Sequence, residues 1–237
     1  ILSIFFASQL FYYASFEPAL SHQVSFFLVC LFLFLSVIKR TKPIIAFLIG
    51  ITLGALSITR MGDIILLFPW VLITFRAWIS EKKYSYFIWF TLAFCISILP
   101  QLLLQWGMYG NVFQNPYLQG EKGTPHLFTF STIVNHLFSL KGGFLLWSPL
   151  FVFGIFGLIK SRNTLFILII LSIFTLVISS WESQVPAGFG NRFFISAIPL
   201  IAPGVAYILK KYKRKALLLS FLCFVWSVFL ITRFYFW

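Results

Sequence analysis

The run LFILIILSIFTLVIS, Leu165 to Ser179, decides the fold. Apart from isolated hydroxyl residues it is apolar in every direction. A strand of a membrane barrel would alternate apolar and polar residues. A run that is apolar on all sides, and this long, reads instead as a helix in lipid. VSFFLVCLFLFLSVI, Val24 to Ile38, reads the same way. Similar segments fall at about 1–15, 21–38, 44–59, 64–79, 85–106, 144–159, 164–180, 193–209 and 216–236. The expected fold is therefore all-α: a polytopic transmembrane helical bundle with about eight or nine membrane segments, forming one domain over 1–237.

Composition agrees. The chain is 60% hydrophobic and 10% charged. So few polar groups could not cover the surface of a water-soluble domain of this length. The net charge of +13 does not point to nucleic acid, because the basic residues sit in short clusters between apolar runs. They read as topology signals. Alternate connections divide the 18 Lys and Arg unevenly: one set holds 13, and the other holds Arg60, Lys122, Lys141, Arg192 and Arg233. The rule that basic loops stay in the cytoplasm places the larger set inside. Glu17, Asp63, Glu121 and Glu182 then face outward, as do His22, His126 and His136.

Cys30, Cys95 and Cys223 lie within apolar runs and show no metal-ligand or redox spacing. No cofactor is expected, with a divalent metal left open. The chain begins ILSIFF, inside an apolar segment and without a basic signal-peptide region, so it reads as a fragment of a longer protein.

The long outer loop, 107–143, is rich in turn residues before it becomes LFTFSTIVNHLFSLKGG. Phe130, Ile133, Val134, Leu137 and Phe138 recur at helical spacing. They suggest a helix lying in the membrane interface, or a connector packed on the ends of the spans.

Charge beside a membrane span, on the side topology leaves poor in basic residues, marks candidate sites. In SFEPALSH, Glu17 before Pro18 suits a helix start; together with His22 it also suits proton exchange with a substrate hydroxyl. In SITRMGDIILLFP, Asp63 suits an N-cap, while Arg60 suits an ion pair with Asp63 or a phosphate. Lys141, before Gly142-Gly143, has the reach to contact a phosphate. In WESQVPAGFGNRFFISAIP, Trp181 to Pro199, glycines precede Asn191 and Arg192 at the start of a span. Arg192 suits a phosphate, helped by the amides of a helix start, or an ion pair with Glu182.

The order FEPALSH, GITLGALSITRMGDIILLFP, KGGFLLWSPLFVFGIFGL, then Trp181 and GNRFFISAIPLIAPG resembles bacterial polytopic glycosyltransferases of the GT-C fold, like the protein O-mannosyltransferases. The resemblance implies a polyprenyl-phosphate-linked sugar donor and a lipid, glycan or protein acceptor. It implies transfer on the outward face of the bacterial inner membrane, with no nucleic acid involved. It gives Arg192 the donor phosphate and brings Arg60, Asp63, Glu17 and His22 to the same outward cavity. Trp181, Glu182, Asn191 and Lys141 complete the expected substrate contacts. The family's essential acid lies in a large first outer loop, which this reading puts upstream of Ile1. Two rivals stand beside it: a lipid or polysaccharide transporter, and a non-catalytic membrane subunit of a cell-envelope assembly system. A transporter calls for charge in the middle of several spans, and the apolar runs here are almost free of it.

Overall fold

The computed structural model describes residues 1–38, 42–112, 129–161, 164–181 and 188–236. Among them every regular element is a helix. The helices are α1 (Leu2–Phe6), α2 (Gln9–Ser15), α3 (Ser21–Val37), α4 (Pro43–Thr59), α5 (Ile64–Ser80), α6 (Ser85–Tyr109), α7 (Phe130–Phe138), α8 (Phe144–Trp147), α9 (Leu150–Lys160), α10 (Leu165–Trp181) and α11 (Ile198–Phe236). Two 3₁₀ turns, Met61–Asp63 and Arg192–Ala197, lead into α5 and α11.

Three helical stretches are long and apolar enough to cross a membrane: Met61–Ser80, Ser85–Tyr109 and Arg192–Phe234. Shorter apolar helices are Ser21–Val37, Pro43–Thr59, Leu150–Lys160 and Leu165–Ser180. Large apolar side chains also stand bare on their outer faces, among them Ile88, Leu103, Leu165 and Leu218. Water would penalise such surface and lipid does not, so the chain is a membrane protein.

The chain forms two compact units: Ile1–Gln23 with Pro125–Trp237, and Val24–Thr124. In the second, α4 packs closely on α6. A Cβ on Gly50 would lie 2.9 Å from Ala93 Cβ, and one on Gly54 would lie 2.6 Å from Ser97 Cβ. Ser97 Oγ donates to the Ile51 carbonyl at 3.1 Å. Without a hydrophobic driving force between helices in lipid, close approach through small residues supplies the attraction. Trp78 is buried among Phe75, Tyr86, Phe87 and Phe90.

In the first unit, α9 lies against the first half of α11. Gly154 and Gly157 meet Gly204 so closely that a Cβ on Gly157 would strike the Gly204 backbone. The two halves of α11 meet at Lys213, whose backbone is non-helical (φ 36°, ψ −105°), inside the basic stretch Lys210–Lys215. This break separates the two apolar runs read at 193–209 and 216–236.

Two expected spans are corrected. The run 1–15 is two short helices, because Ser8 turns the chain and caps α2, its Oγ accepting from Leu10 N–H at 3.2 Å. The run 144–159 breaks at Ser148–Pro149, where proline cannot continue the ladder of α8.

The helix predicted within 107–143 exists as α7. Thr129 and Thr132 form a reciprocal capping box at its start. Its burial runs opposite to a core helix: Phe130, Val134 and Phe138 are exposed, while Thr132 and His136 are buried.

Candidate functional site

The first unit gathers its polar groups around the turn 188–191. Gly188, Gly190 and Asn191 all have left-handed backbones, with φ of 67°, 61° and 57°. Few residues but glycine and asparagine tolerate this. Space excludes side chains at the two glycines as well. A Cβ on Gly188 would sit 2.7 Å from Tyr13 Oη, and one on Gly190 would sit 2.5 Å from Gln9 Oε1.

Between them Phe189 anchors the turn. It stacks on Tyr12 at 4.3 Å between centroids and meets Trp147 and Phe234 edge-on at 4.9 and 5.8 Å. The Tyr13 hydroxyl donates to the Phe189 carbonyl at 3.0 Å. The Gln9 amide donates to the Asn191 carbonyl at 3.5 Å, and Gln9 N–H donates to Ser148 Oγ at 3.2 Å. Asn191 Nδ2 lies 2.9 Å from His136 Nδ1 and donates to the His136 carbonyl at 3.2 Å. Gln9, Tyr13, His136, Ser148 and Asn191 are fully buried.

Arg192 follows this anchored turn. It is half-buried, with its guanidinium 5.6 Å from the centre of the Phe193 ring. Among the described residues it makes no ion pair, and its buried Nε has no hydrogen-bond partner. A half-desolvated guanidinium in that state retains donors for an anion. The helix start expected to assist it is a 3₁₀ turn, Arg192–Ala197, with poorly aligned amides. The start of this element therefore adds little to what the guanidinium itself offers an anion. Near it in sequence, Phe194 lines an apolar cavity of about 170 Å³, shared with Leu137, Phe144, Leu168 and Ile201.

Glu17 is half-buried in the same unit and accepts the Tyr12 hydroxyl at 2.7 Å. His22 is buried and meets Phe193 edge-on at 5.3 Å. Lys141 is exposed, in a turn whose Gly142 has φ 137°. Trp181 ends α10, and Glu182 lies outside the described residues, as do residues 113–128 of the long loop. The expected Arg192–Glu182 pair thus falls there too.

Arg60 and Asp63 belong to the other unit. Asp63 precedes α5 but makes no cap bond with its side chain. It is fully buried instead, accepting from Ser25 Oγ and pairing with Arg60 Nε at 3.6 Å. Of the two readings for Arg60, the ion pair is the one observed. Among the described residues no three His, Cys, Asp or Glu side chains come together as metal ligands.

The sequence reading missed Gln9, Tyr13 and His136 as site residues. Gln9 carried a signal, as a lone amide within an apolar run.

Burial holds the His136 pKa below its ordinary value. The charged form is favoured in the unfolded chain, which binds the proton first as pH falls. His136 therefore contributes stability that is lost on acidification below about 6.5. No titratable residue occurs on α7, α8 or α10 besides His136 itself. Arg192 and Lys141 are the basic residues next to its contacts and its turn. Melting temperature in detergent should fall more steeply below this pH for the wild type than for His136→Asn. Parallel curves would refute the assignment.

Fold and site together define a helical membrane protein with a half-buried arginine after an anchored turn, two residues before Phe194 of an apolar cleft. No family model, curated protein or solved structure matches this chain.

Proposed function

We propose that this chain is the phosphate-holding part of a membrane glycosyltransferase that takes its sugar from a polyprenyl-phosphate donor. The single observation carrying the reading is Arg192: a half-buried guanidinium without an ion-pair partner among the described residues, following an anchored turn and two residues before Phe194, which lines an apolar cleft. That combination suits an anionic lipid better than a soluble anion, because chain and charge are accommodated together.

In the proposed reaction an acceptor hydroxyl attacks the anomeric carbon. The bond from that carbon to the phosphate oxygen breaks, and the lipid phosphate leaves with the electron pair. Arg192 stabilises the charge that develops on it, the electrostatic role that most often dominates such steps. The acceptor proton passes to the outward carboxylate that the resemblance calls for, and Glu17 and His22 position hydroxyls. A GT-C-like bundle of eight or nine segments in a bacterial inner membrane, with α7 in the interface and the site outward, fits the uneven distribution of basic residues. The exposed apolar stripe of α7 supports its interfacial placement.

The reading is tested with the chain in nanodiscs containing undecaprenyl phosphate. Arg192→Ala should weaken binding by about 10- to 100-fold, the worth of charge-assisted hydrogen bonds. Arg192→Lys should recover part of this, keeping the charge but not the fork. Unchanged affinity in Arg192→Ala would overturn the proposal.

A further inference from the structure

We propose that His136 is a positioning residue for Arg192, acting through the side chain of Asn191. This rests on the reading of Arg192 as the group that holds an anion.

The hydrogen-bond chemistry fixes the roles. The His136 carbonyl only accepts, so the Asn191 atom facing it at 3.2 Å is the amide nitrogen. That same nitrogen lies 2.9 Å from His136 Nδ1. Nδ1 must then be the bare, accepting nitrogen, and the ring proton sits on Nε2. Both amide hydrogens of Asn191 are thus spent on one residue, 55 positions away in sequence. Among the described residues its Oδ1 has no hydrogen-bond partner, and His136 alone holds this side chain.

The position matters because Asn191 has the left-handed φ of 57° immediately before Arg192. A backbone in that region relaxes readily once its side chain is released. The direction in which Arg192 leaves the turn depends on this dihedral. The other supports act on the backbone: Phe189, two residues earlier, in its aromatic box, and Gln9 on the Asn191 carbonyl. Those supports, with the threonine capping box of α7, keep both partners folded when the His136 ring is removed. What is lost is the orientation of Arg192.

The conservative variant separates positioning from mere packing. The Oδ1 of asparagine falls near the place of histidine Nδ1 and accepts the same bond. In nanodiscs containing undecaprenyl phosphate, His136→Ala should weaken binding about tenfold or more, and His136→Asn should restore it to near wild type. Equal affinity in wild type and His136→Ala would overturn the positioning role while leaving the anion reading intact. Failure of His136→Asn to improve on His136→Ala would overturn it as well. If Arg192→Ala binds as tightly as wild type, the anion reading is the one that fails. Amide hydrogen exchange then decides the positioning role on its own. Exchange at Gly190–Arg192 should speed up in His136→Ala and return to the wild-type rate in His136→Asn. Unchanged exchange in His136→Ala would overturn it.

Discussion

Gly157→Ala should cost the fold about 3 kcal/mol, the upper end of what overpacking a rigid contact costs. The methyl group would enter the backbone of Gly204, not the end of a flexible side chain. A side chain could rotate away; a helix backbone moves only by shifting α9 from α11 along their whole contact. Gly204→Ala should cost as much, since its Cβ would meet the Gly154 carbonyl. The two effects should be far from additive, because either methyl already separates the helices. Gly107→Ala in α6 is the control: among the described residues nothing lies within 4 Å of its Cβ position. It should leave stability unchanged or raise it by about 0.5 kcal/mol, as removing a helical glycine does. The measurement is unfolding of the purified chain in mixed micelles. A Gly157→Ala protein as stable as Gly107→Ala would show that α9 and α11 do not meet through backbone.

That contact also shows what was legible in the sequence. The apolar runs gave the helices because continuous apolarity leaves a membrane helix as the sole way to satisfy the backbone. Their interruptions were less legible. Ser8 and Ser148-Pro149 are small departures in composition, yet one cap and one missing N–H end a helix. Arg192, Asn191 and Asp63 drew attention as polar residues at the ends of apolar runs. Their partners did not, because each pairing is made by the fold. Gln9 reaches Asn191 across 182 positions, Tyr13 reaches Phe189 across 176, and Ser25 reaches Asp63 across 38. Asp63 shows the limit most plainly. The local rule offered an N-cap, and the buried hydroxyl and guanidinium took the carboxylate instead.

Asp63→Ala should destabilise the second unit by about 3 kcal/mol or more. The carboxylate is fully buried, and Arg60 is 16% exposed. Removing the acid leaves a largely buried cation facing the lost charge and frees the Ser25 hydroxyl. An unpaired buried charge costs more than the pair contributed, so the order of the variants is the informative result. Asp63→Asn keeps an acceptor for Ser25 but gives up the charge, and should fall between wild type and Asp63→Ala. Arg60→Ala should cost less than Asp63→Ala, since Arg60 is the more exposed partner and the Ser25 hydroxyl still meets the acid. The double variant Arg60→Ala/Asp63→Ala should be less destabilised than the sum of the single ones, by about 1 kcal/mol or more. Additive losses would show that the 3.6 Å approach carries no coupling. The cycle also separates structure from chemistry at this position. A pair that only holds the 3₁₀ turn to α3 leaves undecaprenyl-phosphate binding in Asp63→Asn in proportion to the folded fraction. Loss of binding at full folding would instead make Asp63 part of the site, as the resemblance to glycosyltransferases implied.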